Sequence, residues 1–285
     1  MNDIRTEYKI GIRMASRICR ISSSAYYYQP IKKVDDEKIK ELLGQLAAEH
    51  PRWGFDKMMG KIKQTYSWNH KRVYRIYCEL HLNIRIKPRK RLPCGEMKSL
   101  SQPLQSNFCW SMDFMTDALS DGRVFRTLNI LDDFNREILL IEPNHSFPAT
   151  QVVRQIDQLA VDRGYPKMIR VDNGPEFSSV VFKTWAKSRG IIIHYIQPGK
   201  PAQNGYIERF NRTYREDILD MNLFKNIWEV RGITRQWIQV YNFERPHEAL
   251  GNLTPAAFAR AREGMASLAQ KGAVLPQQNI SPFYF

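Results

Sequence analysis

The sequence predicts an α/β domain, a mixed sheet of five strands flanked by helices, preceded by a small all-α unit. Three observations carry this. Apolar residues recur at helical spacing through the first third of the chain. From Asn107 onward strand-like and helical stretches follow one another as βββαβαβα, an order that calls for helices packed on a sheet. The charge is also divided: residues 1–110 hold 22 Lys/Arg against 10 Asp/Glu, and the remainder hold 21 against 19.

The elements follow in order. Ala15 to Tyr28 reads as two short helical pieces joined by a small-residue turn. From Asp35, Ile39, Leu42, Leu43 and Leu46 fall at i, i+3, i+4 and i+7, an amphipathic helix that Asp35 or Asp36 can cap. Pro51-Arg52-Trp53-Gly54-Phe55 makes a turn, and Lys57 to Gln64 a short helix. A third helix starts at Asn69, with Val73, Ile76, Tyr77 and Leu80 on one face and Lys71, Arg72 and Arg75 on another. Three short helices ending in a basic one resemble a helix-turn-helix unit, whose last helix enters the major groove. A bundle with a solvated basic face would look similar. Lys87-Pro88-Arg89-Lys90-Arg91 closes the unit as a basic linker able to track phosphates.

Phe108 to Phe114, Val124 to Leu131 and Ile138 to Ile141 read as a three-stranded meander, with Asp121-Gly122 as its first turn. Gln151 to Arg163 is helical, Ile169 to Val171 a strand, Val180 to Ser188 a helix and Ile191 to Ile196 a strand. After the Pro198-Gly199-Lys200-Pro201 loop a helix runs from about Gln203 to Leu219, another spans Trp228 to Tyr241, and a turn-rich tail follows. The expected division is a helical segment 1–30, a helix-turn-helix-like unit 31–86, a basic linker 87–106, the α/β core with C-terminal helices 107–262 and a tail 263–285.

Composition excludes several classes. Hydrophobic residues make up 43% and charged ones 25% of 285, a globular balance. No apolar run reaches the roughly 20 residues of a membrane span, and the N-terminus lacks a secretory signal, so a cytoplasmic protein without membrane contact is expected. Cys19, Cys78, Cys94 and Cys109 stand apart without zinc-ligand spacing and read as free thiols. A net charge of +14 weighted toward one end suits a polyanion binder with a separate chemical site.

Three acids can meet in this topology: Asp113 on the first strand, Asp172 at the end of the fourth, and Glu208 early in the helix after the Lys200 loop. Gathered carboxylates repel unless a cation neutralises them. Mg²⁺, with hard oxygen ligands, suits such a site, and a pair of ions can serve in-line displacement at phosphorus. Asp117, Asp132, Asp133 and Glu176 compete for the same role, and composition and periodicity do not choose among them. Arg212 and Arg215 share the helix face of Glu208 at i+4 and i+7, while Ile207, Phe210 and Tyr214 form the opposite, core-facing side.

A resemblance does choose. HPRWGFDKM and NHKRVYRIYCELHL in the basic arm, then WSMDF, LDDFNRE, RVDNGPEF, PGKPAQNGYIERFNRTYRED and YNFERPHEALGNLTPAAF, resemble the second-frame (OrfB) transposases of bacterial insertion sequences. These stretches cover most of the chain. Thirty-five residues separate Asp172 from Glu208, the D,D-35-E spacing of that family. The resemblance implies a retroviral-integrase-like, ribonuclease H-like core. It also implies that Asp113, Asp172 and Glu208 are the catalytic metal ligands for Mg²⁺, with Mn²⁺ as a substitute and two ions per site.

The implied activity is cleavage and strand transfer of duplex DNA at terminal inverted repeats and at target DNA, by a homo-oligomer on DNA. Lys71, Arg72, Arg75, Lys200, Arg212 and Arg215 are the expected DNA contacts. Glu176 is a candidate for a place beside the metal ligands, and His247 more simply braces a turn than acts as a base. The resemblance also implies a first-frame (OrfA) partner or fusion carrying a leucine zipper, since no heptad run occurs in these 285 residues. Two other readings remain at this stage. A DNA-binding protein without catalysis would share the basic arm, and a nuclease acting on RNA–DNA hybrids would share the core.

Overall fold

The computed structural model describes residues 2–28, 35–84, 102–197 and 201–270. Three short helices come first, α1 (Asn2–Tyr8), α2 (Ile12–Cys19) and α3 (Ser23–Tyr27). Helices α4 (Asp35–Glu49), α5 (Phe55–Lys63) and α6 (His70–Glu79) then pack round Ile39, Leu43, Met58, Ile62, Val73 and Ile76. The Asn69 side chain caps α6 by accepting the Lys71 N–H at 2.8 Å, so its start is written in the sequence. The basic linker 87–91 lies outside the described residues.

The core is a five-stranded sheet in the order β3-β2-β1-β4-β5. Its strands are β1 (Cys109–Ala118), β2 (Val124–Asp132), β3 (Ile138–Asn144), β4 (Met168–Val171) and β5 (Ile192–Tyr195). The first three form an antiparallel meander, and β4 and β5 run parallel to β1. At the β1–β2 turn Gly122 takes φ +84°, a conformation glycine adopts without Cβ strain.

Strand parity sorts the two faces. Trp110 and Met112 of β1, with Leu128 and Ile130 of β2, pack beneath α7 (Ala149–Arg163) and α9 (Val180–Ser188). On the other face Met115, Phe125 and Leu131 meet α10 (Gly205–Tyr214) and α11 (Ile227–Gln239) through Ile207, Phe210, Tyr214 and Trp237. Asp113 shares the parity of Met115 and therefore points toward the α10 side.

Several details depart from the sequence expectation. A four-residue helix α8 (Pro175–Ser178) follows β4, with Pro175 as its first residue. The helix expected over 203–219 opens with a 3₁₀ turn at Pro201–Asn204 and changes to a π turn at Arg215–Leu219. A second π turn, Val240–Glu244, extends α11. Where a turn-rich tail was expected, α12 runs from Pro255 to Gln270. The Thr254 Oγ1 accepts the Ala257 N–H at 3.2 Å near its start, and Thr254-Pro255 is a local helix-start signal. Among the described residues no helix is long and apolar enough to cross a membrane.

Candidate active site

Asp113 sits mid-strand on β1, opposite Asn129 of β2. Its Oδ1 accepts the Phe114 N–H at 2.8 Å and its Oδ2 accepts Asn211 Nδ2 at 2.7 Å. Asn129 Nδ2 in turn donates to Asn211 Oδ1 at 2.7 Å. A relay of two amides therefore ties α10 to the sheet through the Asp113 carboxylate. Burial raises Asp113 to about 6, repulsion from Asp172 and Glu208 adds to this, and the two donors oppose it.

Asp172 follows β4 in the turn before α8, and its Oδ1 accepts the Gly174 N–H at 3.0 Å. A Cβ at Gly174 would stand 3.0 Å from that Oδ1 and 3.4 Å from Glu176 Oε2, so only glycine leaves both carboxylates undisturbed. Asn173 secures the same turn by donating to the Ile196 carbonyl at 3.0 Å. Glu208 projects from the first turn of α10 and is exposed. Partial desolvation by its neighbours raises its pKa, and the neighbouring Arg212 charge opposes the rise.

The structure thus brings Asp172 and Glu208 within electrostatic reach of Asp113. Among the described residues no three acidic, His or Cys side chains are already gathered as a metal centre. Both Asp113 oxygens are engaged, and Glu208 extends into solvent. The donor set still fits a hard divalent cation, because it consists of carboxylates without thiol or imidazole. Glu208 is also free to change rotamer.

The competing acids have other partners. Asp133 is buried, accepts from Ser111 Oγ at 2.6 Å and pairs with Arg170 at 2.6 Å. Asp132 accepts the Asn107 and Phe134 N–H groups at 2.8 and 2.9 Å. Asp117 pairs with Arg215 at 3.3 Å. Glu176 pairs with Arg126, whose guanidinium also lies 4.2 Å from the Phe114 ring centre. The charges that act most on His247 are those of Arg245, Lys57 and Arg209. The residue stacks edge-on against Tyr241 and forms a bridge with Leu253, and burial pushes it down to about 3.

Of the expected DNA contacts, Lys71 and Arg212 are exposed. Arg72 pairs with Asp35 and Asp36, and Arg75 with Asp36 and Glu79, which ties α6 to the start of α4. Arg215 donates to the Thr116 carbonyl at 2.8 Å. Lys200 lies outside the described residues. Asn211, Asn129 and Arg126 were not singled out by sequence reasoning. For Asn211 the signal was its i+3 position from Glu208.

An "Integrase core domain" family profile matches residues 103–201, a second of the same description matches 189–255, and an "HTH-like domain" profile matches 33–91. The chain is 37% identical over 268 residues to the uncharacterised 31.7 kDa protein of insertion element IS407 from Burkholderia multivorans, covering 93% of this chain and 96% of that one. It belongs to the insertion-element transposase family. A 39.2 kDa protein of IS476 from Xanthomonas euvesicatoria is also 37% identical, over 87% of this chain and 72% of the other. InsK of IS150 from Escherichia coli, which carries a transposase name, is 23% identical over 90% and 96% of the two chains.

This transposase-family chain also has solved neighbours. The simian T-cell lymphotropic virus intasome chain is 16% identical with TM-score 0.47, over 85% of this chain and 80% of that one. The HTLV-2 integrase catalytic core in complex with magnesium is 17% identical with TM-score 0.42, over 55% and 98%. The sheet order and the family profiles together make the core ribonuclease H-like, of the integrase type, behind a helix-turn-helix-like unit.

Proposed function

We propose that this chain cleaves and joins DNA strands at insertion-sequence ends, with Asp113, Asp172 and Glu208 as its metal-holding catalytic residues. The observation that carries the reading is the repulsion that Asp172 and Glu208 exert on the half-buried Asp113 of the central strand, which Asn211 holds in place. Asp117, Asp133 and Glu176 pair with arginines, whereas among the described residues no cation lies within salt-bridge distance of Asp113, Asp172 or Glu208.

Mg²⁺, or Mn²⁺ in its place, would supply Lewis-acid stabilisation of charge at the phosphorus, two ions being the usual number for such sites. The chain's own residues bind and orient. Asn211 and the Phe114 N–H fix the rotamer of Asp113, Gly174 keeps space for Asp172, and Glu208 closes the set from α10. Arg212 and Arg215 lie on the same side of α10 as Glu208 and would hold the phosphates that flank the scissile bond. Lys71, Lys200 and, after exchange of their carboxylate partners for phosphate, Arg72 and Arg75 would position duplex DNA. Hydrolysis at the element end would leave a 3′-hydroxyl and a 5′-phosphate, and that hydroxyl would then attack a second phosphodiester, forming a new P–O bond as the 3′-oxygen of the attacked strand departs.

The proposed division places DNA positioning in 31–86, chemistry in 107–262 and a basic linker over 87–106. Terminal repeats and target DNA are the substrates, and a second copy and a first-frame product are the protein partners. The test is strand joining on labelled element-end duplexes with Mg²⁺ or Mn²⁺. Asp113→Asn, Asp172→Asn and Glu208→Gln should each lower joining by at least about a thousandfold and leave duplex binding within a few-fold. Normal joining by Glu208→Gln sinks the assignment.

A further inference from the structure

A cavity of about 340 Å³ lies where α5, the β2–β3 turn, α10 and the segment after α11 converge. Lys57, Arg136, Arg209, Arg245, His247 and Tyr206 are among its lining residues. Arg245 is neutralised by Asp217. The other three cations have no carboxylate partner among the described residues. Arg136 lies with its guanidinium 3.3 Å from the Tyr206 ring centre, and its Nη1 is buried without a hydrogen bond. The lining's two carboxylates, Asp56 and Glu248, are exposed and pair with none of these cations.

Lys57 and Arg136 are half-buried and Arg209 is exposed, and cations gathered in a partly desolvated cleft without a hydrogen-bonded carboxylate favour an anion there. Burial, with repulsion from Arg245 and Arg209 outweighing attraction from Asp217 and Glu216, pushes the Lys57 amine down to about 8. His247 is neutral here and adds no positive charge to the site.

The position of the cavity matters for the reaction. Tyr206, Arg209, Phe210 and Thr213 fall at i, i+3, i+4 and i+7 on α10 and line the cavity. Glu208, Asn211 and Arg212 belong to the other side of the same helix, toward Asp113. An occupant would therefore join the helical unit, the sheet and the back of the helix that carries Glu208.

We propose that this cavity binds a backbone phosphate of the DNA substrate, held by Lys57, Arg136 and Arg209. The inference rests on the DNA-joining reading above. Two guanidiniums and an ammonium from three separate elements suit the several oxygens of a phosphate. The volume exceeds the need of a lone ion and leaves space for the adjoining sugar. Arg136 and Arg209 act as positioning residues, since filling the site would fix α10 and with it Glu208.

The test uses the full chain and measures duplex binding by fluorescence anisotropy across a salt series, on an element-end duplex and an unrelated one of equal length. Lys57→Gln combined with Arg209→Gln is compared with the charge-matched surface pair Arg154→Gln and Lys187→Gln. Loss of one phosphate contact should flatten the slope of log K against log salt by about 0.9 and weaken binding about eightfold at 0.1 M salt, alike on both duplexes. The control pair should leave the slope unchanged.

Equal slopes for the two double variants overturn the proposal. A second arm measures melting temperature in inorganic phosphate against chloride at equal ionic strength. Stabilisation by phosphate that the Lys57/Arg209 variant loses, without any change in the DNA slope, assigns the site to a free anion and also overturns it. Strand joining is read separately. A flattened slope in a chain that joins no DNA supports the pocket and sinks the catalytic reading, whereas normal joining with equal slopes sinks the pocket alone.

Discussion

Lys57 is a charge the fold holds at a cost. Its folded value of about 8 lies below the ordinary lysine value of 10.5, so the folded state binds its proton less tightly than the unfolded chain. Below pH 8 the full penalty applies. Between 8 and 10.5 the unfolded chain carries more protons, and stability rises with pH until the penalty is gone. Lys57→Met should therefore stabilise the free protein by up to about 3 kcal/mol at pH 7, with the advantage shrinking as pH climbs through that window. Urea unfolding at a series of pH values measures it, and a constant advantage would refute the burial account. Asp113 is the acidic counterpart, raised by burial and by its acidic neighbours. Asp113→Asn should raise the melting temperature in the absence of divalent ions while abolishing joining, a trade of stability for activity. Sequence reasoning reached Asp113 through motifs. It could not reach Lys57, because a lysine near the start of a short helix looks solvated until α5 is seen packed against the core.

The elements were largely legible because their periodicities were. Strands β1 to β5 fall where alternating or short apolar runs stand between turn residues, and α9 spans the residues its pattern marked. The two π turns were not legible, since their sequence remains amphipathic and only the hydrogen-bond register changes. Their use is visible in the packing. Asp217 in the first π turn pairs with Arg245, which directly follows the second, and Trp237 Nε1 also donates to Asp217 at 3.3 Å. The pair is nearly sealed, with side-chain exposures of 7% and 11%. Arg245→Met would strand the Asp217 charge and should cost about 3–5 kcal/mol, whereas adding Asp217→Asn should restore much of the loss. Chemical denaturation of the single and double variants checks this, and additive losses would show that the two residues act independently. The amide relay had the same limit: Asn211 was in view beside Glu208, but its partner Asn129 lies on another strand, and only the β1–β2 register brings it opposite Asp113.

At the scale of the molecule, the charge division that first suggested DNA also bears on how the helical unit meets the core. Lys61 of α5 pairs with Glu244 at 2.8 Å, and Val240 packs against the helical-unit core. Gly60 also lies close against the core: a Cβ there would lie 3.1 Å from Pro246 Cβ and 3.2 Å from its Cγ. Gly44, on α4, has nothing within 4 Å of the same imagined atom. Valine at either position carries a similar helix-propensity change, so the difference between the two variants isolates the contact with Pro246. Gly44→Val should leave stability within about 0.5 kcal/mol. Gly60→Val should cost about 1–3 kcal/mol through overpacking and push α5 away from the segment that holds Arg245 and His247. Because Lys57 would move with α5, this variant should also lose the salt-slope contribution of the phosphate cavity. Joining should then fall by about tenfold for each 1.4 kcal/mol of lost transition-state stabilisation. Equal stability and equal joining for the two valine variants would mean that the contact between Gly60 and Pro246 carries no load and that the helical unit works without docking on the core.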